Sequence, residues 1–258
     1  MDLVVDGRRV HAGTGGAPFD PARPCIVFVH GAGLDHTIWA LPARYFAQTG
    51  RAVLALDLPG HGDSEGPPLT GIAAMADWLI AALDAADVET AAVVGFSMGS
   101  AVALETARRA PGRVRRLALI GAAPRMPVHP DLMAAAAADH RAIEMMADWC
   151  HGPTGHVGGQ PSPGMWIMGG TLRLLERAAP GVLHADLAAC DDFAAETRGI
   201  ACPVLLIGGA RDVMTPPRGA RALADGLAEA EIVVLPDCGH MVLSERPNAM
   251  LDALRRAL

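Results

Sequence analysis

A serine set between two glycines, Gly95-Phe96-Ser97-Met98-Gly99, is the stretch of this chain best suited to covalent chemistry. It follows an apolar run, Ala91–Val94, and leads into a helix-like segment, Ser100–Ala110. At a strand-to-helix junction such a turn is tight enough that side chains beside the serine would strike the neighbouring strand and helix, so both flanking positions favour residues without Cβ. The serine is then held in a strained conformation with its hydroxyl in the open. A hydroxyl is a poor nucleophile unless a base removes its proton during attack, and that base needs a carboxylate to fix its tautomer and steady its charged form. His240, in Pro236-Asp-Cys-Gly-His240, is the candidate base, and Asp212, in Gly208-Gly-Ala-Arg-Asp212, is the candidate acid.

Other reactive residue types have plainer readings. Asp237 competes with Asp212, but it stands too close in sequence to His240 to reach beneath the imidazole. His30 and His61 sit in turns and are expected to brace loops, as are Asp57 and Asp63. Cys238 has no general base of its own beside His240 and reads as a packed thiol. His151 and His156 flank a Gly-Pro-Thr-Gly turn without carboxylate or thiolate partners, so no metal site is expected. Gly13-Thr-Gly-Gly16 resembles a phosphate loop but lacks a following helix and a Walker lysine, and reads as a connection.

The scaffold that must deliver these groups is written in apolar runs. Leu3–Val5 and Arg8–Ala12, joined at Asp6-Gly7, predict an edge hairpin. Cys25–Val29, Val53–Leu56, Ala91–Gly95, Leu117–Ile120, Val204–Ile207 and Ile232–Leu235 read as strands buried on both faces. Helical patterns lie between them, at Ile38–Thr49, Ile72–Ala86, after the serine turn, at Arg218–Ala228, and from Pro247 onward. Strands alternating with helices predict a parallel sheet covered on both faces, whose ligand-handling groups gather at the carboxyl ends of the strands.

The alternation lapses from Pro124 to Arg198. That stretch has helix-like pieces at Leu132–Cys150 and Thr171–Ala179, separated by a Gly/Pro-rich loop from His151 to Gly164 that reads as an entrance loop or a linker. The expected organisation is a core of residues 1–123 and 199–258 with residues 124–198 inserted above the sheet as a helical cap.

Composition narrows the setting. At 258 residues and 51% hydrophobic content the chain can bury a large core and is not disordered. A net charge of −7 with no basic block argues against nucleic acid or an anionic membrane as partner. The N-terminus has no apolar stretch of signal-peptide length, and no run approaches a membrane span, so a soluble cytoplasmic protein is expected. Five scattered cysteines without a C-x-x-C pair read as free buried thiols.

Five motifs in order resemble the α/β-hydrolase superfamily, in its branch of cap-bearing serine esterases and lactonases. They are His30-Gly-Ala-Gly33, Asp57-Leu-Pro-Gly-His-Gly-Asp-Ser64, the serine turn, Gly-Ala-Arg-Asp212 and Gly239-His240, with acid and histidine following the serine in the order that family uses. A family variant carries the acid one strand earlier, but Ile120-Gly-Ala-Ala-Pro124 offers no carboxylate. The resemblance implies an α/β-hydrolase fold with a mostly parallel eight-stranded sheet, no cofactor, and an oxyanion hole made by the backbone N–H groups of Ala32 and Met98. It implies hydrolysis of a small, fairly apolar carboxylic ester or lactone through an acyl-enzyme on Ser97. C–C bond hydrolysis, amide cleavage and cofactor-free perhydrolysis use the same three residues, and a ligand-binding receptor can share the fold. Trp39, Trp149, Trp166, Met168, Met214 and Met241 are expected to line an apolar substrate pocket.

Overall fold

The computed structural model describes residues 1–138, 140–156 and 165–258. The apolar runs become strands whose residues are all buried: β3 (Cys25–Val29), β4 (Ala52–Leu56), β5 (Ala91–Phe96) and β7 (Val204–Gly209). β6 (Val114–Ile120) is buried from Leu117 onward, and β8 (Ala230–Leu235) closes one edge with most of its residues partly open. At the other edge β1 (Asp2–Val5) and β2 (Arg8–Gly13) form the hairpin. Its turn, Asp6-Gly7, holds both residues at positive φ (51° and 76°), a conformation that aspartate tolerates and glycine adopts freely.

The eight strands lie in the order β1-β2-β4-β3-β5-β6-β7-β8. β1 with β2 and β2 with β4 are antiparallel, and every later pairing is parallel. The chain leaves β3 for β4 on one side and returns to β5 on the other, so the sheet reverses its winding between β3 and β5. In a doubly wound sheet that reversal opens a crevice at the carboxyl ends of the two strands. The register pairs Val29 with Gly95, which brings His30–Gly33 alongside Ser97. β5 pairs with β6 up to Phe96↔Ile120, and β7 with β8 up to Gly209↔Leu235, so the loops carrying Asp212 and His240 leave the same end of the sheet.

Among the described residues, ten α-helices accompany the sheet. Around the strands they are α1 (Ala40–Gln48), α2 (Ile72–Ala85), α3 (Met98–Arg109), α8 (Pro217–Ala224), α9 (Val242–Glu245) and α10 (Pro247–Ala257). α2 packs on α3 and α1 on α10, which covers both faces.

Between β6 and β7 come α4 (Pro130–Ala138), α5 (Arg141–Cys150), α6 (Ile167–Glu176) and α7 (Val182–Asp191). The expected piece Leu132–Cys150 is thus two helices, and α6 begins four residues before Thr171. α7 is not marked by the sequence pattern. Its buried positions, Val182, Asp186, Leu187, Ala189 and Cys190, share one side of the helix, but that side includes an acid and the opposite side carries Ala185 and Ala188, which weakens the contrast between faces that marks a helix from sequence. The segment leaves and rejoins the core at one place, where Arg125 bridges Ala194 and the Ala195 N–H donates to the Pro124 carbonyl at 2.8 Å. Of the Gly/Pro-rich loop, residues 157–164 lie outside the described residues.

Candidate active site

Ser97 links β5 to α3 at φ 53°, ψ −118°, a backbone conformation costing on the order of 1–3 kcal/mol for a residue other than glycine. Its neighbours hold it there. A Cβ on Gly95 would collide with the Gly99 carbonyl, and one on Gly99 would collide with the Val29 and His30 carbonyls. The Ser97 N–H donates to the Ile120 carbonyl at 2.7 Å, and buried Ser100 donates its hydroxyl to the Gly95 and Ile120 carbonyls at 2.8 Å each. The turn is therefore stapled to β6, with the Ser97 side chain facing a cavity.

Asp212 and His240, carried by loops after β7 and β8, meet in that cavity wall. His240 Nδ1 lies 2.8 Å from Asp212 Oδ2. Asp212 Oδ1 accepts the N–H groups of Met214 and Thr215 at 2.8 Å each, and Thr215 donates its hydroxyl to Oδ2 at 2.7 Å. Burial pushes the Asp212 carboxyl up, but His240 and the Thr215 bonds outweigh it and hold the group below its ordinary value, so it is ionised at neutral pH. The other ring nitrogen of His240, Nε2, is buried and has no hydrogen-bond partner among the described residues. Beneath the ring lies Gly121, where a Cβ would stand 2.7 Å from His240 Cε1. Asp237, the rival acid, is exposed beside Arg211 and plays no part in this cluster.

The loop after β3 faces the serine turn. His30 is buried with Nδ1 2.9 Å from the Gly31 carbonyl and Nε2 accepting the Leu58 N–H, and burial pushes its pKa down to about 4. Leu34 N–H closes the loop onto Gly31 O at 3.2 Å. The N–H groups of Ala32 and Met98 have no hydrogen-bond partner among the described residues. The His240 loop is held differently. Buried Glu245 accepts the Gly239 N–H at 2.9 Å through one oxygen, and the Gly152 N–H at 3.1 Å and the Thr154 hydroxyl at 3.2 Å through the other. The Met241 N–H also donates to the Cys150 carbonyl.

Two cavities meet at Ser97 and His240. The larger, about 590 Å³, runs from Ala32 and Thr215 up to Met126, Leu132, Met146, Trp149 and Leu187 of the inserted segment, with Met214 at its side. The smaller, about 10 Å³, is closed in by Leu34, Phe96, Cys150, Leu175 and Met241. Trp149 and Met214 line the larger cavity and Met241 the smaller. The other three expected pocket residues lie elsewhere. Trp39 is fully buried in the core against Phe28, with ring centroids 5.0 Å apart. Trp166 is 54% exposed, and neither it nor Met168 is among the lining residues.

The one grouping of three metal-type ligands among the described residues is Asp35, His36 and Asp57. Asp57 already accepts the His36 and Asp63 N–H groups and the His36 imidazole, which makes the group a brace for its loop. His151 Nδ1 sits 2.7 Å from the Ala147 carbonyl and Nε2 3.3 Å from the Thr171 hydroxyl, so both nitrogens are engaged within the inserted segment. Burial lifts the Cys238 thiol to about 12 and leaves it protonated.

A doubly wound sheet of this order, a serine at a positive-φ strand-to-helix turn, and an aspartate–histidine pair at the same sheet end belong together in one family. Residues 26–253 match the sequence model of the alpha/beta hydrolase family, and the chain is a member of it. Among curated relatives, a pimeloyl-[acyl-carrier protein] methyl ester esterase of Aromatoleum aromaticum is 32% identical over 246 residues, covering 88% of this chain and 94% of that protein. Two solved structures share the fold. An enol-lactonase from Burkholderia xenovorans LB400 superposes with a TM-score of 0.83 at 24% identity, covering 99% of this chain and 98% of that one. A thermophilic esterase from Thermogutta terrifontis gives 0.83 at 22% identity, covering 99% and 96%.

Proposed function

We propose that this protein is a serine hydrolase of carboxylic esters, with Ser97 as nucleophile, His240 as base and Asp212 as the acid that orients it. The observation that carries the reading is the His240 imidazole, anchored through Nδ1 to ionised Asp212, with a buried and unpartnered Nε2 in the cavity that Ser97 also lines. Ser97 Oγ attacks the ester carbonyl as His240 Nε2 takes its proton. The oxyanion is held by the free N–H groups of Ala32 and Met98, and such a donor is worth about 10²–10³ in turnover. Nε2 then protonates the departing alcohol. Water, deprotonated by the same nitrogen, attacks the acyl-serine and releases the acid and the restored hydroxyl.

Residues 124–198 act as a cap, since ten of the sixteen residues lining the larger cavity come from within it and its two ends join side by side. The unequal cavities support a substrate class. The smaller has room for about one methyl-sized group, and the larger takes an apolar acyl chain. The favoured substrate is a short-alcohol ester, methyl above all, of a medium-length acid. The methyl ester named for the 32% identical relative supports that choice. No helix among the described residues is long and apolar enough to cross a membrane, consistent with a substrate met in water.

The test combines a fluorophosphonate probe with an ester series. A single adduct at Ser97, absent in Ser97→Ala, is expected, as is hydrolysis of methyl hexanoate well ahead of tert-butyl hexanoate. Labelling without Ser97, or equal turnover by Ser97→Ala, overturns the nucleophile. Equal rates on the two esters overturn the methyl-sized chamber.

A further inference from the structure

We propose that Asp186, on α7, is a positioning residue for the oxyanion loop: its Oδ2 accepts both the Gly33 N–H and the His61 Nε2–H, and so fixes the Ala32–Gly33 peptide from the side of the inserted segment. This rests on the ester-hydrolase reading, in which the neighbouring Ala32 N–H holds the oxyanion.

Both bonds are 2.8 Å long and buried, and the Gly33 bond spans 153 residues of sequence. The remaining nitrogen of His61, Nδ1, lies 3.1 Å from the Pro59 carbonyl. An imidazole with an acceptor at each nitrogen must carry a proton on each, so His61 is a cation and Asp186 its counter-ion. The charges facing it agree. Burial opposes protonation of His61, but the Asp186 carboxylate, aided by the Pro59 carbonyl and Asp57, outweighs it and raises the group above its ordinary value. The other nearby titratable ring, His30, stands 4.7 Å away and is held neutral by burial.

Packing presses the same loop from the same side. A Cβ on Gly33 would stand 3.0 Å from Leu183 Cδ1 and 3.1 Å from Leu175 Cδ2, and Arg177 reaches Asp35 at 3.5 Å. Stability alone gives little reason for the arrangement. An aspartate inside a helix has poor intrinsic propensity, and a buried ion pair is commonly no more stabilising than apolar residues of equal volume. What Asp186 supplies, and a leucine could not, is an acceptor for the Gly33 N–H. A loop carrying an oxyanion donor needs that rigidity, since a misplacement of about 1 Å can cost on the order of 10²-fold in rate.

The experiment uses the full-length protein with Asp186→Ala and Asp186→Asn, assayed on methyl hexanoate and titrated with a trifluoromethyl ketone that forms an oxyanion adduct on Ser97. In Asp186→Ala, kcat is expected to fall about 10²-fold with KM within threefold, and ketone affinity to fall by the same factor. Asp186→Asn keeps an acceptor oxygen and should recover about tenfold of that loss. Hydrogen exchange at the Gly33 amide should quicken in Asp186→Ala, and in Asp186→Asn if alanine prevents folding. Unchanged kcat and ketone affinity, a loss confined to KM, or unchanged Gly33 exchange overturns the proposal. A wild type inert toward esters and fluorophosphonate would instead sink the hydrolase reading, and Gly33 exchange would still report whether Asp186 holds the loop.

Discussion

Ser97 and Gly33 stand at the ends of neighbouring strands, β5 and β3, yet they are held in place by different kinds of force. The serine turn is fixed by backbone against backbone. Gly95 and Gly99 let two carbonyl-bearing segments approach to contact, and Ser100 and the Ser97 N–H pin the turn to β6, all within the core. The Gly33 loop is held by side chains of a segment that is not part of the sheet: Leu175, Leu183 and the carboxylate of Asp186. The His240 loop falls between, with Asp212 supplied by the core and Glu245 tying Gly239 to Gly152 of the inserted segment. The proposed nucleophile is thus positioned where the strands end, and the proposed oxyanion loop by what lies above them.

That contrast can be broken at several points. The largest effect belongs to Asp212→Asn, which leaves the fold intact but lets His240 take the wrong tautomer; kcat should fall about 10⁴-fold on methyl hexanoate with little change in KM. Next comes Gly99→Ala. Its Cβ meets the Val29 and His30 carbonyls, which cannot move without parting β3 from β5. A stability loss of about 3 kcal/mol or more is expected, read in urea melts. Gly33→Ala should cost less, about 1–2 kcal/mol, because its neighbours are the flexible ends of two leucines and the penalty is mainly that of a positive φ of 66°. If the two glycine variants cost the same, the contrast between a rigid turn and a yielding loop fails.

The smallest expected effect is a pH trend. His61 has a raised value in the folded protein, so it contributes stability that is fully present below its ordinary value of 6.5 and is lost as pH rises through the folded value. The thermal-stability gap between wild type and His61→Gln should therefore shrink as pH rises above the ordinary value of 6.5. A gap that widens over that range would contradict a protonated His61.

Sequence alone reveals most of the first kind of positioning and little of the second. Apolar runs mark the strands because a sheet covered on both faces leaves no room for alternation, and the glycines beside Ser97 follow from a local steric need. Asp212 and His240 stand out for the same reason, each being a chemically distinctive residue just past a strand. Asp186 gives no such sign, since it lies mid-helix in the helix that sequence patterning missed, and its partner Gly33 is distant in the chain. Thr215 and Glu245 are equally silent, because accepting or donating to a loop needs no motif. Aromatic type misled as well. Trp39 follows the oxyanion loop closely in sequence, but a short 3-10 turn, His36–Trp39, directs it into the core beneath α1, where a large apolar side chain gains most from burial.

The bridge between Arg125 and Ala194 has one more consequence. Because the inserted segment departs and returns at a single point, it can be exchanged between chains as a cassette without disturbing any strand. The recipient would keep Ser97, Asp212 and His240, but the His240 loop would need new partners for its ties to Cys150 and Gly152. Unless the incoming cassette brought a carboxylate to the position of Asp186, the Gly33 N–H and the His61 imidazole would lose their shared acceptor. A transplanted segment would therefore have to carry an anchor for the Gly33 loop as well as a lining for the cavity.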